Sequence, residues 1–286
     1  MCGMGEAKRK RANQKSRAAE LEDRFGRLGI DFGRPGFYDT PQFLAQERVD
    51  RRFLETYAEW VLTRPRGADE DAKVREIVPR LADIVNARLR RHDWIGGCVA
   101  ITGMVSRMLD RMGIWNVTFK GSATITNVET AEARHFAIVD ESQGKGYQTG
   151  HMWLAVPPFD VVDMTLRFQH WQQDPFQEAI RPVLLAETSE IVEARLEDLV
   201  APDIRRRYRD PNFHNKKLPD QKRFSSIFPA RRFRAGDCEF RLIPSGVSMT
   251  DVPLEQINVH GRQGAPAIEI WREDVAPAFG FEADPN

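Results

Sequence analysis

An α+β fold, with one helix packed on an antiparallel sheet, is what the sequence predicts, and three observations carry that reading. Residues Cys98 to Met112 place Ile101, Met104, Val105, Met108 and Met112 at spacings of three and four, the period of an amphipathic helix. Residues His151 to Val156 alternate instead, with His151, Trp153 and Ala155 on one side and Met152, Leu154 and Val156 on the other, the period of a strand. A second apolar run, Phe159 to Thr165, follows directly after Pro157-Pro158, so the two runs can fold back on each other as a hairpin.

Residues 1 to about 20, with Lys8-Arg9-Lys10-Arg11 and many Ala and Glu, read as an exposed helix without a core-facing stripe. Gly33, Pro35, Gly36 and Pro41 mark a loop, so residues 1–40 form a charged tail and loop ahead of the core. Two amphipathic helices are predicted next. One spans about Pro41 to Leu62 with Phe43, Leu44, Phe53, Leu54, Tyr57 and Trp60 inward; the other spans about Asp69 to Arg91 with Val74, Ile77, Leu81, Ile84, Val85 and Leu89 inward. Both are expected to pack beside the Cys98 helix. Strands at Ile114 to Ile125 and Arg134 to Asp140, a glycine-rich turn from Gln143 to Gly150, and the His151 hairpin then make a sheet of three or four antiparallel strands. Helical lead-in and core together span residues 41–172.

Residues 173–286 form an extension of unknown role. A helical pattern with acidic bias covers 175–200, and 205–234 holds eleven Lys or Arg against Asp210 and Asp220. That basic stretch is read as an irregular loop packed on acidic surface elsewhere, with phosphate or nucleic-acid contact as the alternative. Further strands are predicted at Cys238 to Ile243 and Ala267 to Trp271.

Cys98 opens its helix directly after Gly96-Gly97, where unpaired amides and the helix dipole favour a thiolate and the glycines let backbone approach a substrate. The hairpin brings Asp163 beside His151, which supplies a base and an acid to orient it. His135 is a competing base, ranked lower because no acid follows it at hairpin spacing, and it is expected to lie away from the thiol. Singly, Cys98 is a small core residue, His151 a strand-end histidine and Asp163 a strand terminator. The ordered set is what points to catalysis.

Gly-Cys on a helix ending in Met112-Gly113-Ile114, a strand, His-x-Trp-Leu-x-Val and then Val-Val-Asp-x-Thr resemble the core of the transglutaminase-like superfamily of cysteine enzymes, a papain-like arrangement. The match covers about residues 94–168. The resemblance implies Cys98 as nucleophile, His151 as general base and Asp163 as the residue that orients the imidazole, with Trp153 as the aromatic two residues after the histidine. For the oxyanion donor the Cys98 amide is the default, with Trp94 or His92 upstream as side-chain candidates, and Gly97 and Trp153 stand with Trp94 as supporting residues. The arylamine N-acetyltransferases resemble the His151 to Asp163 stretch too, but Ile95-Gly96-Gly97-Cys98 does not reproduce their Arg-Gly-Gly-x-Cys signature.

The expected activity is therefore that of a thiol-dependent hydrolase or acyltransferase of the small-core bacterial type. It would act on an amide bond in a peptide, protein or small molecule through a Cys98 thioester. An N-acetyltransferase-like activity and an inactive binding module using 205–234 are the alternatives.

Composition agrees with this reading. The chain has 42 basic and 42 acidic side chains, so overall charge makes no case for a nucleic-acid partner. Cys2, Cys98 and Cys238 are too few and scattered for a disulfide framework or metal cluster, which suits a reducing cytoplasm. No apolar run approaches the ~20 residues of a membrane span, and the first residues are polar rather than a signal peptide. Zinc spacings, phosphate-binding glycine loops and dinucleotide fingerprints do not occur, so no cofactor is expected.

Overall fold

The computed structural model describes residues 3–140, 150–210, 212–258 and 266–283, with side chains from residue 14 onward except that of His214. Five helices come first: α1 (Gly3–Arg27), α2 (Pro41–Val49), α3 (Phe53–Thr63), α4 (Ala68–Arg91) and α5 (Cys98–Arg111). Strands β1 (Val117–Asn127), β2 (Ala133–Phe136), β3 (His151–Val156) and β4 (Phe159–Asp163) follow, then β5 (Leu184–Ala186) and β6 (Glu190–Val192). Short helices α6 (Leu196–Leu199), α7 (Pro202–Tyr208), α8 (Phe213–Lys217) and α9 (Gln221–Ile227) lead to β7 (Ala230–Ala235) and β8 (Cys238–Val247). The last described segment is helical, α10 (Ala267–Ile270) running through a π-helical turn into α11 (Ala276–Phe279). The protein is thus a mixed helix and antiparallel-sheet, α+β, structure.

The sheet has eight strands rather than three or four, in the order β5-β4-β3-β1-β8-β7-β6, with β2 also paired to β1. β1 is its spine. Along one edge β1 pairs first with β3 and then with β2; along the other it pairs with β8 over nine positions, from Phe119↔Val247 to Asn127↔Cys238. Residues 173–286, expected as an extension, therefore contribute four strands to the same sheet as Cys98's neighbours. The 172/173 division does not coincide with a break in this sheet. Periodicity reports that β8 is a strand but not which edge it joins, because its partner lies over a hundred residues away.

Alternation along the strands splits the apolar side chains into two layers. Val117, Phe119, Ala123, Ile125, Trp153 and Val161 face a core completed by α1, α2, α3 and α9, while Leu154, Val156, Val162 and Met164 face α4, α5 and α10. α4 thus lies in one layer with α5 as expected, whereas α3 belongs to the opposite one. The first predicted helix is also interrupted. Asp50 accepts a hydrogen bond from Arg52 N (3.0 Å) through its side chain, and its carbonyl accepts from Phe53 N (2.8 Å), a side-chain turn that competes with helix continuation. Leu44 is only half-buried.

Other expectations are corrected too. The first residues, expected as an exposed helix, belong to α1, whose Ala18, Leu21 and Phe25 are buried against α3. Most of that stripe lies beyond residue 20, so a window ending there contains only Ala18. Residues 175–200 hold a short 3-10 turn, two three-residue strands and α6 rather than one helix, and the predicted strand at 134–140 is regular only to Phe136. Ala267 to Trp271 is helical, not extended: Ala267, Trp271 and Val275 recur at spacing four, which a five-residue window does not reveal. The basic 205–234 stretch forms α7, α8, α9 and β7, and it is tied into the surface by pairs such as Arg223–Glu55 (2.7 Å), Arg231–Asp160 (3.4 Å) and Arg205–Glu197 (3.9 Å). Cys2, the side chains of Lys8 to Arg11 and the turn at 143–149 lie outside the described residues. No described helix is long and apolar enough to cross a membrane.

Candidate functional site

Cys98 is the first residue of α5, and the helix starts there because of the backbone before it. Gly97 has φ 84°, a left-handed conformation that strains any residue with a Cβ, and from it the chain turns so that its carbonyl accepts the first helical bond from Ile101 N (2.9 Å). The preceding Gly96 amide donates to Phe168 O (2.7 Å), which ties this turn to the segment after β4. Further along, Thr102 Oγ1 donates to Met152 O (3.5 Å), fastening α5 to β3. The far end of α5 is held by Arg107, which pairs with Asp39 (2.8 Å) and Asp110 (3.4 Å), while Tyr38 donates to Asp110 (2.9 Å). Cys98 thus rests on a helix fixed at both ends.

His151 begins β3 and Asp163 ends β4. The hairpin pairs Leu154 with Val162 and Val156 with Phe159, which carries the two side chains to the same place. His151 Nε2 and Asp163 Oδ2 are 2.6 Å apart, both side chains fully buried. The other oxygen, Oδ1, accepts from Thr165 N (2.8 Å), Thr165 Oγ1 (3.0 Å) and Leu166 N (3.1 Å), so one carboxylate both shapes the turn after β4 and orients the ring. Opposite His151 in the β1–β3 register is Gly121, where a Cβ would come within 1.9 Å of Ile243 O. Only glycine lets β8 close on β1 beneath the histidine.

Burial disfavours the charged imidazole, but the Asp163 charge and hydrogen bond outweigh it, and with a further contribution from Cys98 they raise the His151 pKa to about 10. Asp163 shows the converse: burial pushes it up, His151 and Thr165 pull it down more, and its pKa is lowered overall. His151 Nδ1 is buried and has no partner in hydrogen-bond geometry. Cys98 is the one residue besides Asp163 whose charge and hydrogen bonding help to raise the ring's pKa.

The linkage has a defined sign. A histidine raised from 6.5 to about 10 contributes stability in full below pH 6.5 and loses it as pH climbs through 10; an aspartate lowered from 3.8 contributes above that value and loses it as pH falls through its own pKa. The melting-temperature gap between the protein and His151→Gln should therefore be widest from about pH 4 to 6.5 and narrow toward pH 10. A gap that widens steadily above pH 7 in thermal melts would contradict a charged pair.

A cavity of about 430 Å³ opens at Cys98, lined by Gly97, Cys98, Arg134, His135, Gln169 and Trp171 among others, with His151 and Asp163 buried behind its wall. Cys98 is half-buried and reachable from it; Cys238, the other described cysteine, is fully buried in β8. Two of the supporting residues expected from the sequence lie elsewhere. Trp153 is buried and stacks on His151 (centroids 6.4 Å, 17° between planes), so it packs the ring and does not line the cavity. Trp94 is buried beside a neighbouring cavity with Ile95 and Phe168, its indole N–H without a partner. Gly97 does line the Cys98 cavity.

His135, expected away from the thiol, lines the same cavity, because the β2 hairpin lies end to end with β3 along β1. Apart from His135, the walls from 134–140 and 169–174 were not legible as site residues: neither segment carries a motif, and they come to Cys98 through the sheet and through Phe168 and His170 against Gly96. Among the described residues no group of three His, Cys, Asp or Glu is arranged to hold a metal. Comparison with family models, curated proteins and solved structures finds no match for this chain.

Proposed function

We propose that this chain is a cysteine hydrolase acting on amide bonds, with a core of transglutaminase-like type working in a reducing, cytoplasmic setting. The reading rests on one observation above the others: a buried His151–Asp163 pair at 2.6 Å whose remaining ring nitrogen is unpartnered beside a cavity-facing thiol at a helix start. The helix, strand and strand order of Cys98, His151 and Asp163 supports the same class.

In the proposed reaction the His151 imidazolium already holds the proton on Nδ1, and the Cys98 thiolate beside it attacks the amide carbon to form a C–S bond and an oxyanion. The amides of Cys98 and its neighbours at the start of α5 are the nearest fixed dipoles to receive that charge. Collapse breaks the C–N bond as the imidazolium gives its proton to the leaving amine. Water then attacks the thioester, losing a proton to His151; the acid departs and the thiolate is restored. Asp163 holds the ring with Nε2–H toward itself throughout.

Iodoacetamide at limiting concentration near pH 6 should alkylate Cys98 well ahead of Cys238, whose thiol is buried and pushed up by that burial. Exposure alone could produce that order, so the deciding comparison is His151→Ala. Loss of the charged ring should slow Cys98 alkylation by about tenfold or more, read by peptide mass spectrometry. An unchanged rate would remove the basis for the proposal and favour a binding module with an inert thiol.

A further inference from the structure

A buried polar row runs across the sheet into the wall of the cavity that Cys98 lines. In the strand registers Thr124 of β1 stands between His135 of β2 and Arg241 of β8, so the three share one row, and Asp198 of α6 meets them there. Arg241 donates to Asp198 Oδ2 (3.0 Å) in a pair that is almost wholly buried, and Arg195 N adds a further bond (3.2 Å). Thr124 Oγ1 lies 3.1 Å from Asp198 Oδ1 and 3.1 Å from His135 Nδ1.

The donors and acceptors in this row permit one arrangement. A carboxylate paired with a guanidinium only accepts, so the Thr124 hydroxyl proton points at Asp198. Its oxygen is then an acceptor toward His135, and Nδ1 must carry the ring proton. Nε2 is left with its lone pair, on a ring that lines the cavity of Cys98. Burial foremost, then Arg205 and Arg134, hold the His135 pKa below 6.5 against the opposing charges of Asp198 and Glu197, so the ring is neutral at pH 7.

We propose that His135 Nε2 is a fixed hydrogen-bond acceptor in the Cys98 cavity that selects acyl donors carrying an N–H beside the reacting carbonyl, with Thr124, Asp198 and Arg241 as its positioning residues. This rests on the cysteine-hydrolase reading and narrows it to primary and secondary amides, including peptides, over esters. His135 takes no proton in the reaction; it binds.

The test compares Cys98 alkylation by iodoacetamide, which carries an N–H₂, with that by methyl iodoacetate, which carries an ester oxygen there. Each rate is divided by the rate of the same reagent with free glutathione. The protein should favour iodoacetamide by about three- to tenfold at pH 7.5, the worth of one neutral hydrogen bond. His135→Phe and Thr124→Val should both abolish the preference, the second because the ring loses its fixed tautomer, and Thr124→Ser should restore it.

In the unaltered protein the preference should also fade as pH falls through the His135 pKa, which burial holds below 6.5, because Nε2 then becomes a donor; this arm needs no variant to fold. Absence of any preference at pH 7.5, or its persistence in folded Thr124→Val, overturns the inference. The two readings fail separately. Cys98 alkylation that depends on His151 but not on His135 removes this inference alone, and alkylation indifferent to His151 removes the hydrolase.

Discussion

Cys98→Ala is expected to abolish turnover while leaving the fold intact. α5 is anchored by Ile101, Met104, Val105, Met108 and Leu109 in the core, by Thr102 against β3 and by Arg107 in its pairs with Asp39 and Asp110. None of these needs the sulfur. Alanine is the best helix former, and a half-buried thiol facing a cavity gives up little packing, so the stability change should stay within about 1 kcal/mol. The rate should fall by a factor on the order of 10⁴ or more, because no other described thiol can form the thioester. Both follow from turnover and a thermal melt, with a substrate identified by trapping an acylated Cys98 in cell extract and weighing the adduct. Full turnover in the variant would make the thiol structural; activity lost only together with the melt would make it a core residue.

Asp163→Asn separates the two tasks of that side chain. An asparagine oxygen at the Oδ1 position can still accept from Thr165 N, Thr165 Oγ1 and Leu166 N, so the turn after β4 should persist. Its NH₂ then faces His151 Nε2 and can only donate. The neutral ring must flip its proton to Nδ1, where it points at the sulfur and blocks proton transfer from the thiol. Activity should fall by about 10²–10⁴-fold yet stay above that of His151→Ala, which has no ring at all. Asp163→Ala should lose the turn as well and melt markedly lower. If Asn and Ala proved equally active and equally stable, the carboxylate would have neither role.

Much of this site was legible before the structure, for local reasons. The start of α5 follows from two glycines and an apolar period, and the His151–Asp163 meeting follows from two alternating runs joined by Pro157-Pro158, where register is set by a short turn. What stayed hidden depends on distant chain. His135 is a strand residue without a nearby acid, and its partners Thr124, Asp198 and Arg241 come together only when β8 and α6 are in place. Trp94 was a plausible donor by proximity in sequence and Trp153 a supporting aromatic, but burial settles their positions, and burial is a property of packing. The inward stripe of α1 and the helical state of Ala267 to Ile270 were missed because each pattern extends past the window in which it was sought.

The pairing of β1 with β8 has a consequence for how the molecule comes together. Asn127 and Cys238 are direct partners one hundred and eleven positions apart, so the spine of the sheet acquires its second neighbour only through a contact of very long loop. Closure entropy grows with the logarithm of loop length, and non-local pairings slow the search for the native topology. The hairpin that aligns His151 with Asp163 can form early from adjacent residues. The row that orients His135 cannot, because Arg241 reaches it from the far side of that closure. Reactivity and discrimination would then mature at different moments of folding, the first with local chain collapse and the second only with topological closure.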